Sequence, residues 1–99
     1  MELEFARDDL DRLETDVAFE MGLPRSVVRA YRKRVQFIRA AQDERDLRAW
    51  KSLHLEKLKG ARQHQYSIRL NEQFRLILEF VGDGPDKRLR IVGIEDYHP

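Results

Sequence analysis

The chain has 99 residues, 41% apolar and 37% charged, with a formal net charge of +1. That length suits one small core, read here as a single domain over residues 1–99, and the composition excludes a disordered or fibrous chain. With no cysteine, disulfides, thiolate chemistry and cysteine zinc sites are excluded together. No apolar run approaches a membrane span and the opening Met1-Glu-Leu-Glu is no signal peptide, so the expected location is the cytoplasm.

The near-neutral total hides a division. Residues 1–20 carry eight acids against Arg7 and Arg12, and the rest of the chain holds 17 bases against ten acids. Either the basic body presents a surface to a polyanion, or two helices carry complementary charge.

Leu3 and Phe5 alternate with Glu2 and Glu4, as in a short edge strand. Ala6, Leu10, Leu13, Val17 and Met21 then recur at spacings of three and four, which predicts a helix stopped by Gly22. Asp8 and Asp9 at its start suit the helix dipole. Leu23-Pro24 breaks the chain, and a second helix opens at Pro24 or Ser26, with Val27 or Val28, Tyr31, Val35 and Ile38 as its apolar face. Its other face carries Arg25, Arg29, Arg32, Lys33, Arg34 and Arg39. Such a face either meets a nucleic-acid backbone or pairs with the acidic first helix. Asp43 to Ser52 reads as a short helix or loop covering the core with Leu47, Trp50 and Leu53, and Gly60 permits a turn before the next strand.

The most informative stretch is Gln65 to Val81. Tyr66, Ile68 and Leu70 alternate with Ser67 and Arg69; Phe74, Leu76, Leu78 and Phe80 alternate with Arg75, Ile77 and Glu79. This period of two predicts a hairpin whose even positions face the core. Matching the faces pairs Leu70 with Phe74 and leaves Asn71, Glu72 and Gln73 as the loop, because a slip by one residue would press Arg69 into the core. Arg69 then lies directly across from Arg75, a like-charge pair that needs an offset: Glu79, water or a bound anion such as phosphate. After a turn at Gly82–Asp86, a last strand runs from Arg88 to Glu95. The economical arrangement is α+β: two N-terminal helices on one face of a small antiparallel sheet, with Arg69 and Arg75 on the other.

From Leu55 onward the chain resembles the HigB branch of the RelE/ParE toxin superfamily. The resemblance is carried by Leu58-Lys59-Gly60, Tyr66-Ser67-Ile68, Phe74-Arg75 and the C-terminal Asp96-Tyr97-His98, in that order and spacing. It implies a RelE-like fold and a toxin of a type II toxin–antitoxin system that cleaves mRNA on the ribosome. It also implies a cognate antitoxin of the HigA-like helix-turn-helix kind. The family's working residues match Lys59, Arg75, Asp96, Tyr97 and His98, with Arg69, Asn71 and Lys57 as RNA- or phosphate-binding positions. Two positions depart from the pattern. Glu56 stands where the family often has a histidine, with His54 two residues earlier, and Asn71 stands near a missing strand arginine that Arg69 can replace from the same face.

The implied chemistry needs no metal or cofactor. A base takes the ribose 2′-hydroxyl proton, that oxygen attacks the adjacent phosphate, an acid protonates the leaving 5′-oxygen, and cations hold the added charge. Lys59, Arg75 and Arg69 are the expected cations. His98 is a proton-transfer candidate from its ordinary pKa of about 6.5; Asp96 is either a base or an orienting group; Tyr97 either stacks on a base or donates from its phenol. His64 reads as structural or solvent-facing. Three scattered histidines without HExxH-like spacing make no metal site. The other readings of the same fold are a ParE-like toxin that binds a protein target such as gyrase without catalysis, and a catalytically degenerate module that only binds its partner.

Overall fold

The computed structural model describes residues 1–96. A five-stranded sheet in the order β1-β5-β4-β3-β2 is built from β1 (Leu3–Phe5), β2 (Glu56–Lys57), β3 (Tyr66–Arg69), β4 (Phe74–Val81) and β5 (Arg88–Asp96). The helices are α1 (Asp8–Thr15), α2 (Arg25–Ala40) and α3 (Glu44–Ala49). All strand pairs are antiparallel except the edge pair of β1 with β5, which is parallel. The expected antiparallel sheet is therefore mixed. A parallel neighbour needs a long crossover, and nearly the whole chain separates these two strands.

The hairpin adopts the expected register: Ile68 pairs with Leu76 and Arg69 with Arg75, and the Leu70 amide donates to the Phe74 carbonyl at 3.0 Å. Ile68, Leu76 and Leu78 are fully buried with Leu10, Leu13, Val27, Tyr31, Val35, Ile38, Leu89 and Ile91. Each such side chain contributes about 1.5–3 kcal/mol of burial. Tyr66, expected to be buried, is half-buried. It sits near the β2 edge, stacked edge-on against Phe80 at 5.2 Å with the Arg48 guanidinium over its ring.

Helix α1 is shorter than its apolar spacing predicts. It ends at Thr15, and Val17 is 84% exposed. The Asp16 carboxylate accepts from the Ala18 amide at 3.0 Å and the Arg12 guanidinium at 3.1 Å. Arg32 of α2 meanwhile donates to the carbonyls of Leu13, Asp16 and Phe19 at 2.9, 3.0 and 3.2 Å. Side chains thus take the groups that another helical turn would have used. Met21 and Gly22 both have positive φ, completing the turn into α2.

In α2 the expected apolar face is buried in full, and the Tyr31 hydroxyl donates to the Leu10 carbonyl at 2.7 Å. Asp43 caps α3, its carboxylate accepting from the Arg45 amide at 2.9 Å and being held down at about 2, first by the Arg45 side-chain hydrogen bond. Leu47 and Leu53 are buried as expected, but Trp50 is 42% exposed, its ring set edge-on against Phe37 at 4.0 Å. At the β4–β5 turn Gly82 has φ +80°, and a Cβ there would meet the Asp86 carbonyl oxygen at 2.4 Å, so only glycine fits. Among the described residues no helix is long and apolar enough to cross a membrane.

Because Arg32 closes the end of α1 through charge-assisted bonds, Arg32→Met is expected to lower unfolding free energy by about 1.5–3 kcal/mol. The exposed Gln36→Ala on the same helix should stay within about 0.5 kcal/mol of the parent. Urea unfolding of both variants checks this.

Candidate active site

The face of the sheet away from the helices is assembled by strand register. Arg69, Arg75 and Glu95 form one row across β3, β4 and β5. The next row holds Ser67 opposite Ile77, with Glu56 of β2 on the other side of Ser67 and Gly93 of β5 beyond Ile77.

Arg75 is 6% exposed and lies flat along this face. Its Nε donates to Ser67 Oγ at 2.9 Å, and its Nη2 donates to the His54 carbonyl at 2.6 Å and the Ser67 carbonyl at 3.3 Å. His54 has left-handed backbone (φ 51°), so the guanidinium fastens a strained corner to the hairpin. The face was expected to be open at Arg75; instead the side chain is covered and anchored. Glu79 is not the offset for the two arginines. It accepts from Gln65 at 3.0 Å and Arg90 at 3.3 Å, lies 3.3 Å from His64 Nε2, and belongs to a chain of charges running through Arg90 and Glu4 to Arg88. The carboxylate opposite Arg75 is Glu95, gripped bidentately by Arg62 at 2.9 and 2.5 Å.

Arg69 is exposed. Its carbonyl accepts from Arg34 Nε at 3.1 Å, and burial lowers the pKa of Arg34. Asn71 serves the hairpin turn, its Oδ1 accepting from the amides of Gln73 and Phe74 at 2.8 and 2.7 Å, which leaves its amide nitrogen for any ligand. Lys59 is exposed at the residue before the 3-10 turn Gly60–Arg62, where Gly60 has φ +68°. Lys57 pairs with Tyr66, so it lies at the sheet edge on the helix side, and Glu56 takes the arginine side. A shallow cleft of about 310 Å³ runs between Glu56, Lys57, Leu58, Lys59 and Arg62.

A bulge in β5 decides the placement of Asp96. Ile77 pairs with Gly93 and Leu78 with Ile91, so Val92 is the extra residue. Beyond it the alternation is inverted: Glu95 joins the arginine row and Asp96 pairs with Phe74 on the helix side, where the Gln73 amide donates to it at 3.0 Å. Tyr97 and His98 lie outside the described residues. The sequence reading missed Glu95, Arg62 and Ser67. Ser67 and Glu95 were legible only once the register was known, and Arg62 had no periodic signal. Among the described residues no three His, Cys, Asp or Glu side chains gather into a metal-holding group.

Cross-strand register sets two arginines opposite each other near the hairpin loop and the end of β5, Arg69 exposed and Arg75 buried and anchored, two cations of the kind that suit phosphate. The basic face of α2, by contrast, is half occupied. Arg39 grips Glu14 of α1 with two bonds of 2.8 Å, while Arg32 and Arg34 are spent on backbone carbonyls.

Comparison with known proteins bears on these features. Residues 3–91 match the family of RelE-like toxins of type II toxin–antitoxin systems, HigB. Toxin HigB-1 of Vibrio cholerae serotype O1 is 35% identical over 81 residues, covering 82% of this chain and 85% of that protein. In fold, the chain is similar to a YoeB/ParE toxin from Agrobacterium tumefaciens, with a TM-score of 0.58 over 99% of this chain and 100% of the other at 18% identity. The RelE-like α+β fold and the matching family together establish that this chain belongs to the HigB-like toxins of type II toxin–antitoxin systems, proteins held by a cognate antitoxin.

Proposed function

We propose that this toxin is a metal-independent endoribonuclease that cleaves mRNA on the ribosome in the cytoplasm, held in check by a HigA-like antitoxin. The observation that carries the reading is the pairing of Arg69 with Arg75 on the side of the sheet away from the helices, beside the strand that ends at Asp96. A scissile phosphate set against this row would meet the exposed Arg69 fork and the charge of the anchored Arg75, with Lys59 approaching from the Gly60 turn. Anchoring suits the role, because a guanidinium fixed by Ser67 and the His54 carbonyl pays no reorganisation as charge develops.

Proton transfer falls to the chain's end. His98 protonates the leaving 5′-oxygen or takes the 2′-hydroxyl proton and Tyr97 stacks on a base or donates from its phenol, while Asp96, on the helix side of the sheet, is left the role of orienting its neighbour. Asn71 at the hairpin loop flanks the RNA path, whereas Lys57, on the helix side of the sheet edge, is left at its margin. Metal independence rests on the chemistry assigned to the site, in which Lys59, Arg69 and Arg75 hold the added charge that a metal would otherwise hold. One observation favours the second reading, a toxin that binds its target without cutting: Glu56 puts a carboxylate on the arginine face next to Ser67, where it repels phosphate.

Cleavage of mRNA in a translating extract decides between them. Arg75→Lys keeps the charge but cannot hold Ser67 and the His54 carbonyl together, and the loss of that preorganised placement predicts a rate lower by about 10²–10³-fold in a variant whose melting curve shows it folded. Ser67→Ala, which loosens the anchor but keeps the guanidinium, should lose much less; equal cleavage by Arg75→Lys and wild type removes Arg75 from the chemistry. For His98→Gln a drop of about 10²–10⁴-fold is expected with an unchanged melting temperature, whereas full toxicity would take His98 out of the site. Asp96→Asn in the same series tests the carboxylate. With a model RNA and the isolated toxin, cleavage should persist in EDTA; loss that a divalent ion restores would refute the metal-free mechanism.

A further inference from the structure

The solvent face of α2 is the surface that neither the core nor the sheet uses. Of its six bases, Arg32, Arg34 and Arg39 are taken by the α1 end, the Arg69 carbonyl and Glu14. Arg25, Arg29 and Lys33 remain exposed at spacings of four, and only Arg25 has a carboxylate nearby, Glu20 at 3.6 Å. Arg29 and Lys33 make no ion pair among the described residues. Like charges at this spacing destabilise a helix, so a partner bearing negative charge would relieve a cost the free chain carries.

Two grooves flank this face, one toward α1 and one toward α3. A basic one of about 400 Å³ lies between Arg25, Arg29, Lys33 and the exposed Val17, with Glu20 as its one carboxylate, set against Arg25. An apolar one of about 460 Å³ lies between Phe37, Ala40, Ala49 and Trp50. Arg29, Lys33, Gln36 and Ala40 are all exposed and share one side of α2, a strip about 17 Å long that runs from the basic groove at Gln36 to the apolar groove at Ala40. Asp46, the carboxylate in the apolar groove, is engaged by the Gln42 amide at 2.8 Å.

We infer that this strip is the docking surface for an amphipathic segment of the cognate antitoxin, with carboxylates against Arg25, Arg29 and Lys33 and apolar side chains in the Phe37–Trp50 groove. The inference rests on the toxin–antitoxin membership and not on the cleavage reading. Charge complementarity selects an acidic occupant, and the aliphatic walls select protein over RNA. RNA would use the cations and stack on Trp50, but gains little from Val17, Ala40 and Ala49. An exposed Trp beside Phe is also the kind of anchor that interfaces use.

The test uses the whole toxin and its co-expressed antitoxin, with binding measured by calorimetry and with single-stranded model RNA and ribosomes as parallel ligands. Arg29→Glu/Lys33→Glu reverses the charged end and Ala40→Arg fills the apolar end; all three positions are exposed, and melting curves confirm folding. Both variants are expected to weaken antitoxin binding at least tenfold while leaving RNA and ribosome binding within twofold of wild type. Antitoxin affinity within twofold of wild type in either variant would overturn the single strip. Loss confined to RNA or ribosomes would make the face a nucleic-acid contact instead, and a wild-type toxin that binds no antitoxin would remove the partner. Because the readout is affinity, a toxin that cuts no RNA leaves this test intact.

Discussion

The register of β3 on β4 is the constraint on which the rest of the molecule depends. Setting Ile68 against Leu76 under the helices obliges Arg69 to face Arg75 on the other side, since alternation allows no other outcome. The core thereby imposes a like-charge contact that the outer face has to resolve. Arg75 resolves it by lying down along the sheet, giving its Nε to Ser67 and its Nη2 to the His54 carbonyl, with Glu95 opposite on β5. The same bonds hold the His54 corner that leads into β2. A single guanidinium therefore balances charge, fixes a connection and stands in the candidate phosphate site.

Electrostatics divides the two faces of the protein in different ways. On the helix side, opposite charge is consumed locally: the acidic α1 and the basic α2 meet through Arg39 and Glu14, and Arg32 closes the end of α1. On the sheet side, Glu4 and Glu79 are shared among Arg88, Arg90, Gln65 and His64. The Glu4 carboxyl is held below its usual range, first by the Arg88 hydrogen bond. These pairs are mostly exposed, and each contributes little to stability alone. Among the described residues the exposed Arg29, Lys33, Lys51, Lys57, Lys59 and Arg69 stand outside these ion pairs and supply the exposed positive field.

Much of this was legible in the chain. The apolar face of α2, the alternation of the hairpin, the turn at Gly60 and the edge strand at Leu3–Phe5 all followed from local periodicity and glycine chemistry. Three expectations failed for a shared reason: the deciding group came from elsewhere. Residue spacing extended α1 to Met21, but Arg32 of α2 reaches the carbonyls that end it at Thr15. Trp50 was assigned to the core by spacing, yet Phe37 meets it at the surface. Glu79 was offered to Arg69 and Arg75, but Arg90 and Gln65 hold it.

By itself the sequence determined the two main helices, the hairpin with its register and the family, because each rests on residues close together in the chain or in a fixed order. Tertiary structure alone decided which carboxylate faces the arginines. One extra residue, Val92, bulges from β5 and inverts the alternation beyond it, bringing Glu95 into the row with Arg75 and turning Asp96 toward Phe74. No local pattern announces such a bulge, since a sequence of alternating residues reads the same until a partner strand fixes which of them is left over.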